Sequence, residues 1–338
     1  MAGVTASAPG RLVQFADLTD KSIDKIVIKA TKEAERYSDK YYSKETTQDK
    51  ISKDSSVSGL HVFGYTPENA SITSGAPVQG FDKSFTQVFF DGMIKITRDL
   101  WEYGIKTRKI EAIVNQITLD AIRTTEKILC NPLVNLTTSS YTDTAGVRNF
   151  THSNTGGDST VLSSASHTRE DGGTAWSNII SDGTTSNMDF DYDALKALER
   201  TAVAISDPIG ETMNVSPDLI IAKKGGSAAQ RFKEIMPLLR NGGMKTMPGG
   251  NDNDDGVTYN FDLLEIPYLT SNTAWFAIDT KMMGVGSFGL QMKKAKELEL
   301  DAVHVDYETK LIMKSITSSF DYGFNDARNI LCSTGLDA

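Results

Sequence analysis

The spacing of apolar residues between Thr107 and Leu129 restricts this chain more than any other feature. Ile110, Ile113, Val114, Ile117, Ala121, Ile122 and Ile128 recur at the i, i+3, i+4, i+7 period of one helix face. Lys109, Glu111, Asn115, Asp120 and Arg123 fill much of the other side. A residue before proline is pushed out of the α region, so Asn131-Pro132 is expected to stop this helix. At about 1.5 Å per residue the rod is roughly 35 Å long, which is long for a domain of this size.

Upstream of the rod the texture is that of strands. Residues 57–66 (VSGLHVFGYT) and 81–97 (FDKSFTQVFFDGMIKIT) are rich in β-branched and aromatic side chains and flank the turn formers of PENASITSGAPVQG. The pattern predicts a long two-stranded hairpin with an extended tip. Phe81, Phe85 and Phe89 share one side of its second strand, and Val88, Phe90, Ile94 and Ile96 share the other. An isolated ribbon is barely stable in water, so both faces are expected to be covered by another body. Before it, residues 19–54 are charged, with a thin helical stripe of Ile23, Ile26, Val27, Ala30, Ala34 and Tyr37. Two readings are open: an arm lying along a neighbouring copy, or a surface helix of the same domain.

Downstream, residues 135–188 are rich in Ser, Thr, Gly and Asp, which predicts loops and short strands. Asp191 is a good N-cap for a helix that carries Leu195, Leu198, Ala202 and Ile205 inward, ended by Asp207-Pro208. DLIIA (218–222) reads as a buried strand, Gly225-Gly226 as a turn and SAAQRFKEIMPLL as a further helix. Residues 241–256 are loop by composition. From Val257 to Ile316 the pattern is a series of strands, and no fixed-period repeat interrupts it.

Composition limits the function classes. The chain has 338 residues, 39% hydrophobic and 23% charged, which suits a folded protein rather than a disordered one. Net charge is -9 with no run of Lys or Arg, so no concentrated basic face for duplex DNA is legible. Neither a signal segment nor an apolar run long enough for a membrane helix is read, which predicts folding in the cytoplasm. Cys130 and Cys332 are expected to be free thiols.

The order of these elements resembles the major capsid protein of tailed phages, the HK97 fold, and within it the Mu-like major head subunit group. Two stretches carry the resemblance most: SPDLIIAKKGGSAAQRFKEIM (216–236) and the closing segment from Ala274 to Gly335, with its strand ending in Asp279 and its aromatic-Gly turn. The resemblance implies an α+β chain with an N-terminal arm (1–56) and an E-loop hairpin (57–97). A peripheral domain (98–188) would hold the spine helix 107–129 and be completed by 300–325. An axial domain (189–299) and a C-terminal tail (326–338) would follow. It implies self-assembly into hexamers and pentamers of an icosahedral shell around double-stranded DNA, without specific binding to it. Scaffolding, portal and decoration proteins are the implied partners, and neither a membrane, a cofactor nor a catalytic residue is implied. Rival readings are an encapsulin-like nanocompartment, another virion component, and a metal-dependent enzyme.

Residues with possible chemistry have plainer explanations. Asn251, Asn253, Asp255, Gly256 and Asp262 partly overlay a twelve-residue calcium loop, but Asn stands at its first position and the short Asp262 at its last. A solvated acidic loop accounts for them better. Lys223 and Lys224 precede a helix start, where anions bind well, without the order of a phosphate-binding loop. His61, His152, His167 and His304 are scattered, and no G-x-S-x-G occurs. No catalytic, cofactor or metal residue is assigned.

Overall fold

In the computed structural model the isoleucine-spaced segment is α1 (Arg108–Val134), which runs through the proline expected to stop it. Pro132 removes one backbone donor near the helix end. The last turn is closed by the Asn135 N–H and side-chain amide, both bonded to the Asn131 carbonyl at 2.9 and 3.0 Å. Leu129, Cys130, Leu133 and Leu136 are buried there, so core packing outweighs the local preference. The structure describes residues 25, 27–32, 34–57, 65–68, 70–71, 79–97, 108–144, 149–240, 260–285, 287–301, 304–306, 308 and 311–335. The first part of the expected arm, much of the hairpin tip, His61 and the Asn251–Gly256 loop lie outside these residues.

α1 packs against a five-stranded sheet. Its path is β1 (Tyr42–Thr46), β10 (Leu290–Leu300), β12 (Leu311–Phe324) and β11 (His304–Asp306), with β4 (Val88–Thr97) on the other side of β12. β1 runs parallel to β10, and the other pairings are antiparallel. Val27, Ile94, Val114 and Ile316 form one buried cluster that joins the N-terminal segment, β4, α1 and β12. Val27 and Ala30 of the helical stripe are thus buried within the subunit.

A separate two-stranded ribbon pairs β2 (Ile51–Val57) with β3 (Gln79–Thr86), Ile51 opposite Thr86 and Val57 opposite Gln79. The hairpin expected over 57–97 is thus displaced. Its first strand lies earlier, inside the presumed arm, and residues 88–97 leave the ribbon to join the main sheet. The physical reason is that Phe90 and Ile94 find better cover on β12 and α1 than a solvated ribbon offers: Phe90 stacks on Phe320 at 4.5 Å between ring centroids.

The second body is a four-stranded sheet ordered β13 (Ile330–Ser333), β9 (Trp275–Ile278), β7 (Leu219–Lys223), β8 (Asp262–Ile266). α2 (Tyr192–Ala204) packs on β13, and α3 (Ser227–Arg240) packs on β7 and β8. Asp191 caps α2 as expected, its carboxylate accepting from the Ala194 N–H at 2.7 Å. Gly225 turns with φ +73, and a side chain at Gly226 would meet the Asn272 carbonyl at 2.8 Å. Two expected boundaries move. Residues 290–299 belong to the five-stranded sheet rather than to the body at 189–299. The supposed tail 326–338 supplies β13, every residue of which is buried. β5 (Ser140–Asp143) and β6 (Phe150–Ser153) pair with each other in the loop-rich region.

Candidate assembly surfaces

The ribbon is tied to the body of the subunit along its described length. The Thr86 N–H donates to Asp321 Oδ2 at 2.6 Å, and Lys83 Nζ to the Thr155 carbonyl at 2.6 Å. Asn325 Nδ2 reaches the carbonyls of Asp54 and Phe81 at 3.3 and 3.2 Å, and Gln291 Nε2 reaches Asp54 Oδ2 at 2.8 Å. A Cβ at Gly157 would lie 2.1 Å from Asn325 Oδ1 and 2.8 Å from the Phe81 side chain, so glycine lets the loop close on the ribbon. Phe85, expected among residues hard to bury within one subunit, is fully buried.

Beneath the ribbon sits a small titratable group. His152 stacks on Tyr322 at 4.3 Å, with its Nδ1 3.8 Å from Asp321 Oδ1. Burial and the nearby Lys83 ammonium push the His152 imidazole down to about 4. Burial lifts the Asp321 carboxyl to about 6 despite the bonds it accepts from Thr86 and Tyr322. The site resembles a catalytic pair only in composition. Tyr141 and Tyr322 close it, their hydroxyls 3.0 Å apart, and it lies within packed side chains.

A buried ion cluster ties the loop-rich region to the second body. Arg328 donates to both oxygens of Glu170 at 3.1 and 2.8 Å and to the Ser206 carbonyl at 2.8 Å, and it also pairs with Asp326. Its guanidinium carbon lies 5.2 Å from the centre of the Trp176 ring. Burial lifts Asp326 to about 6, partly opposed by Arg328. Only a charge so fully paired is tolerated there.

The exposed side of the main sheet is different. Phe89, Asp91, Met93 and Lys95 alternate on the face of β4 opposite Phe90 and Ile94. Phe89 and Met93 are 66% and 55% exposed. No strand among the described residues pairs with the outer edge of β4. An apolar strip beside an open edge is a template for another chain.

The other sequence candidates are not brought together. Lys223 Nζ is taken up by the Thr270 carbonyl and Asn272 Oδ1, both at 2.9 Å, so it ties a turn. His167 Nδ1 bonds Asp158 Oδ2 at 2.8 Å, and its ring stacks on Trp176, while His304 is exposed on β11. Both cysteines are buried, and burial pushes each thiol up to about 12. Asp262 lies on β8, where its N–H bonds the Asp218 carbonyl. Among the described residues no group of three His, Cys, Asp or Glu could hold a metal ion, and no helix is long and apolar enough to cross a membrane.

No family model matches the sequence, and no curated protein matches it. Solved structures do match. A chain of Mycobacterium phage Patience superposes with a TM-score of 0.52 over 96% of this chain and 88% of its own, at 10% identity. A chain of Microbacterium phage Oxtober96 gives 0.47 at 7% identity, covering 88% and 90%. One from the capsid of a native GTA particle gives 0.45 at 10% identity, covering 89% and 92%. The first of these shares the fold of this chain. With its long helix lying on a sheet, a two-stranded ribbon and a second helix-flanked sheet, the chain has the α+β, HK97-like fold.

Proposed function

We propose that this chain is the major capsid subunit of a phage or prophage, a protein whose function is self-association into a closed shell. The observation that carries it is the near-complete overlap, in both chains, with a phage structure of the same fold. The exposed face of β4 that carries Phe89 and Met93, together with the ribbon, meets neighbouring copies in this reading. In this reading α1 and the five-stranded sheet form the peripheral domain, and the four-stranded sheet with α2 and α3 forms the axial one. Membership of the Mu-like head subunit group, and partnership with scaffolding, portal and decoration proteins, follow from the sequence resemblance. The nanocompartment alternative is not favoured, since the structure that carries the fold argument is a phage's.

The subunit's role is mechanical in this proposal, and no residue acts as a catalyst. With a net charge of -9 the shell encloses double-stranded DNA with little attraction for it. Electron microscopy of the expressed protein is the test. Hexamers, pentamers or closed particles are expected, and a monomer that persists at high concentration in every salt condition overturns the proposal.

A further inference from the structure

One cavity on the α1 side of the main sheet is lined by more cations than carboxylates, although the chain as a whole is acidic. A cavity of about 90 Å³ opens between α1, β10, β12 and residues 31–44, and four cations line it: Arg36, Lys44, Lys294 and Lys296. Two carboxylates line it too, Glu126 and Glu297. Glu126 is committed elsewhere, accepting from the Ser38 N–H and hydroxyl at 2.9 and 2.7 Å. Ile122, Leu129, Met292 and Phe320 form apolar walls, which strengthen any charge interaction inside.

In each ion pair at the rim the cation is the less exposed partner. The Lys294 and Lys44 side chains are 14% and 21% exposed, whereas their partners Glu297 and Asp39 are 76% and 54% exposed. Lys294 meets Glu297 at 3.4 Å, a pair of the surface kind that contributes little. Lys44 also donates to the Ser38 hydroxyl at 2.8 Å. Lys296 pairs at 3.3 Å with Glu299, both well exposed. Arg36 makes no hydrogen bond or ion pair with any described residue. Glu297, Asp39 and Glu299 can therefore turn into water, while Lys294 and Lys44 stay crowded at the cavity. Burial holds the Lys294 ammonium below its ordinary range, and the neighbouring Lys44 and Arg36 press it further down.

We propose that this cavity binds a small polyvalent oxyanion of the phosphate type. The anion would accept from the Arg36 fork and from the Lys44 and Lys294 ammonium groups, displacing Glu297 from Lys294. A guanidinium and two ammonium groups converging from different elements suit a multiply charged oxygen acceptor better than a single carboxylate. Such an anion would clamp the 31–44 segment to β10 and α1. The oxygens could belong to free phosphate or to a nucleic-acid backbone, and the experiment separates these sources. The inference does not rest on the shell reading, because binding is measurable on subunits whether or not they assemble.

The test is calorimetric titration of the full-length protein with sodium phosphate at constant ionic strength, beside a sodium chloride control and a short DNA duplex. Saturable phosphate binding is expected, with a rise in melting temperature that chloride does not reproduce. Lys294→Met and Arg36→Gln should each weaken it roughly tenfold or more, since each removes a charged donor. Glu297→Gln removes the internal competitor from an exposed position, so it should fold normally and bind more tightly. Duplex binding that phosphate competes away and Lys294→Met abolishes would assign the site to a backbone phosphate. Equal shifts in chloride, or unchanged affinity in both Lys294→Met and Glu297→Gln, would overturn the proposal.

Discussion

The two sheets of this protein treat their faces differently. In the four-stranded sheet every residue of β9 and β13 is buried, and so are the first four of β7. The outer edge of β13 is closed by residues 178–180, the Ile180 N–H bonding the Cys332 carbonyl at 2.9 Å. Asn178 fills the corner, donating to the carbonyls of Leu162 and Ile330 at 2.6 and 3.1 Å. The five-stranded sheet buries one face on α1 and leaves Phe89 and Met93 exposed on the other, beside a β4 edge that no strand among the described residues pairs with. The four-stranded sheet is closed along β13 and buried through its middle strands, whereas the five-stranded sheet leaves apolar side chains of β4 in solvent. Stability and association are thus carried by different residues, and substitutions can separate them.

The sharpest break of this comparison is in the closed sheet. Phe276→Ala empties a fully buried position between Ile221 and Cys332 and should cost about 3–5 kcal/mol, read from urea denaturation. A loss under about 1 kcal/mol would mean that this sheet is not the stable body. Arg328→Met tests the junction between the loop-rich region and the second body. It strands Glu170 and Asp326 as buried carboxylates, and a loss of about 3–5 kcal/mol is expected, smaller at acid pH where Asp326 is protonated.

The pH dependence should be smaller because two effects oppose each other. His152, lowered from 6.5 to about 4 in the fold, contributes stability above pH 6.5 that is lost as pH falls toward 4. Asp321 and Asp326, raised from 3.8 to about 6, contribute stability below pH 3.8 that is lost as pH rises through 6. Two raised carboxyls outweigh one lowered imidazole, so the wild type should still lose some stability as pH rises from 4 to 6. His152→Gln leaves the two aspartates unopposed, so its melting temperature should fall as pH rises from 4 to 6. A flat profile in that variant would contradict the buried electrostatics beneath the ribbon.

The smallest effect on folding should accompany the largest effect on assembly. Replacing Phe89 and Met93 together by Ser should move stability by no more than about 0.5 kcal/mol, because both are exposed. Particle counts by negative-stain microscopy should nonetheless collapse. Normal assembly of this variant would remove the exposed face of β4 from the set of contact surfaces.

Much of this architecture is legible in the sequence, and where the sequence misleads the causes are physical. Helical spacing locates α1, α2 and α3, because a 3.6-residue period is written in consecutive residues. Asp191 announces its helix because capping is local chemistry. The stop expected at Pro132 fails since burial of Leu133 and Leu136 outweighs one missing backbone donor. The ribbon is misplaced because strand partners are chosen by distant surfaces: β4 resembles a hairpin strand in sequence, yet Phe320 and Val114 draw it into the main sheet. No sequence signal marks Ile330–Ser333 as an interior strand rather than a tail; it is the Trp275–Ile278 partner that makes it one.

By itself the sequence determined the local periods, the caps and the order of elements, and with them the α+β class, since those depend on neighbours a few residues apart. Tertiary structure alone decided which face of β4 stays exposed, and it alone assembled Glu170 with Arg328 and Arg36 with Lys44 and Lys294. Those groupings join residues far apart in the chain, and a charge's environment is set by what folding places beside it rather than by its flanking residues.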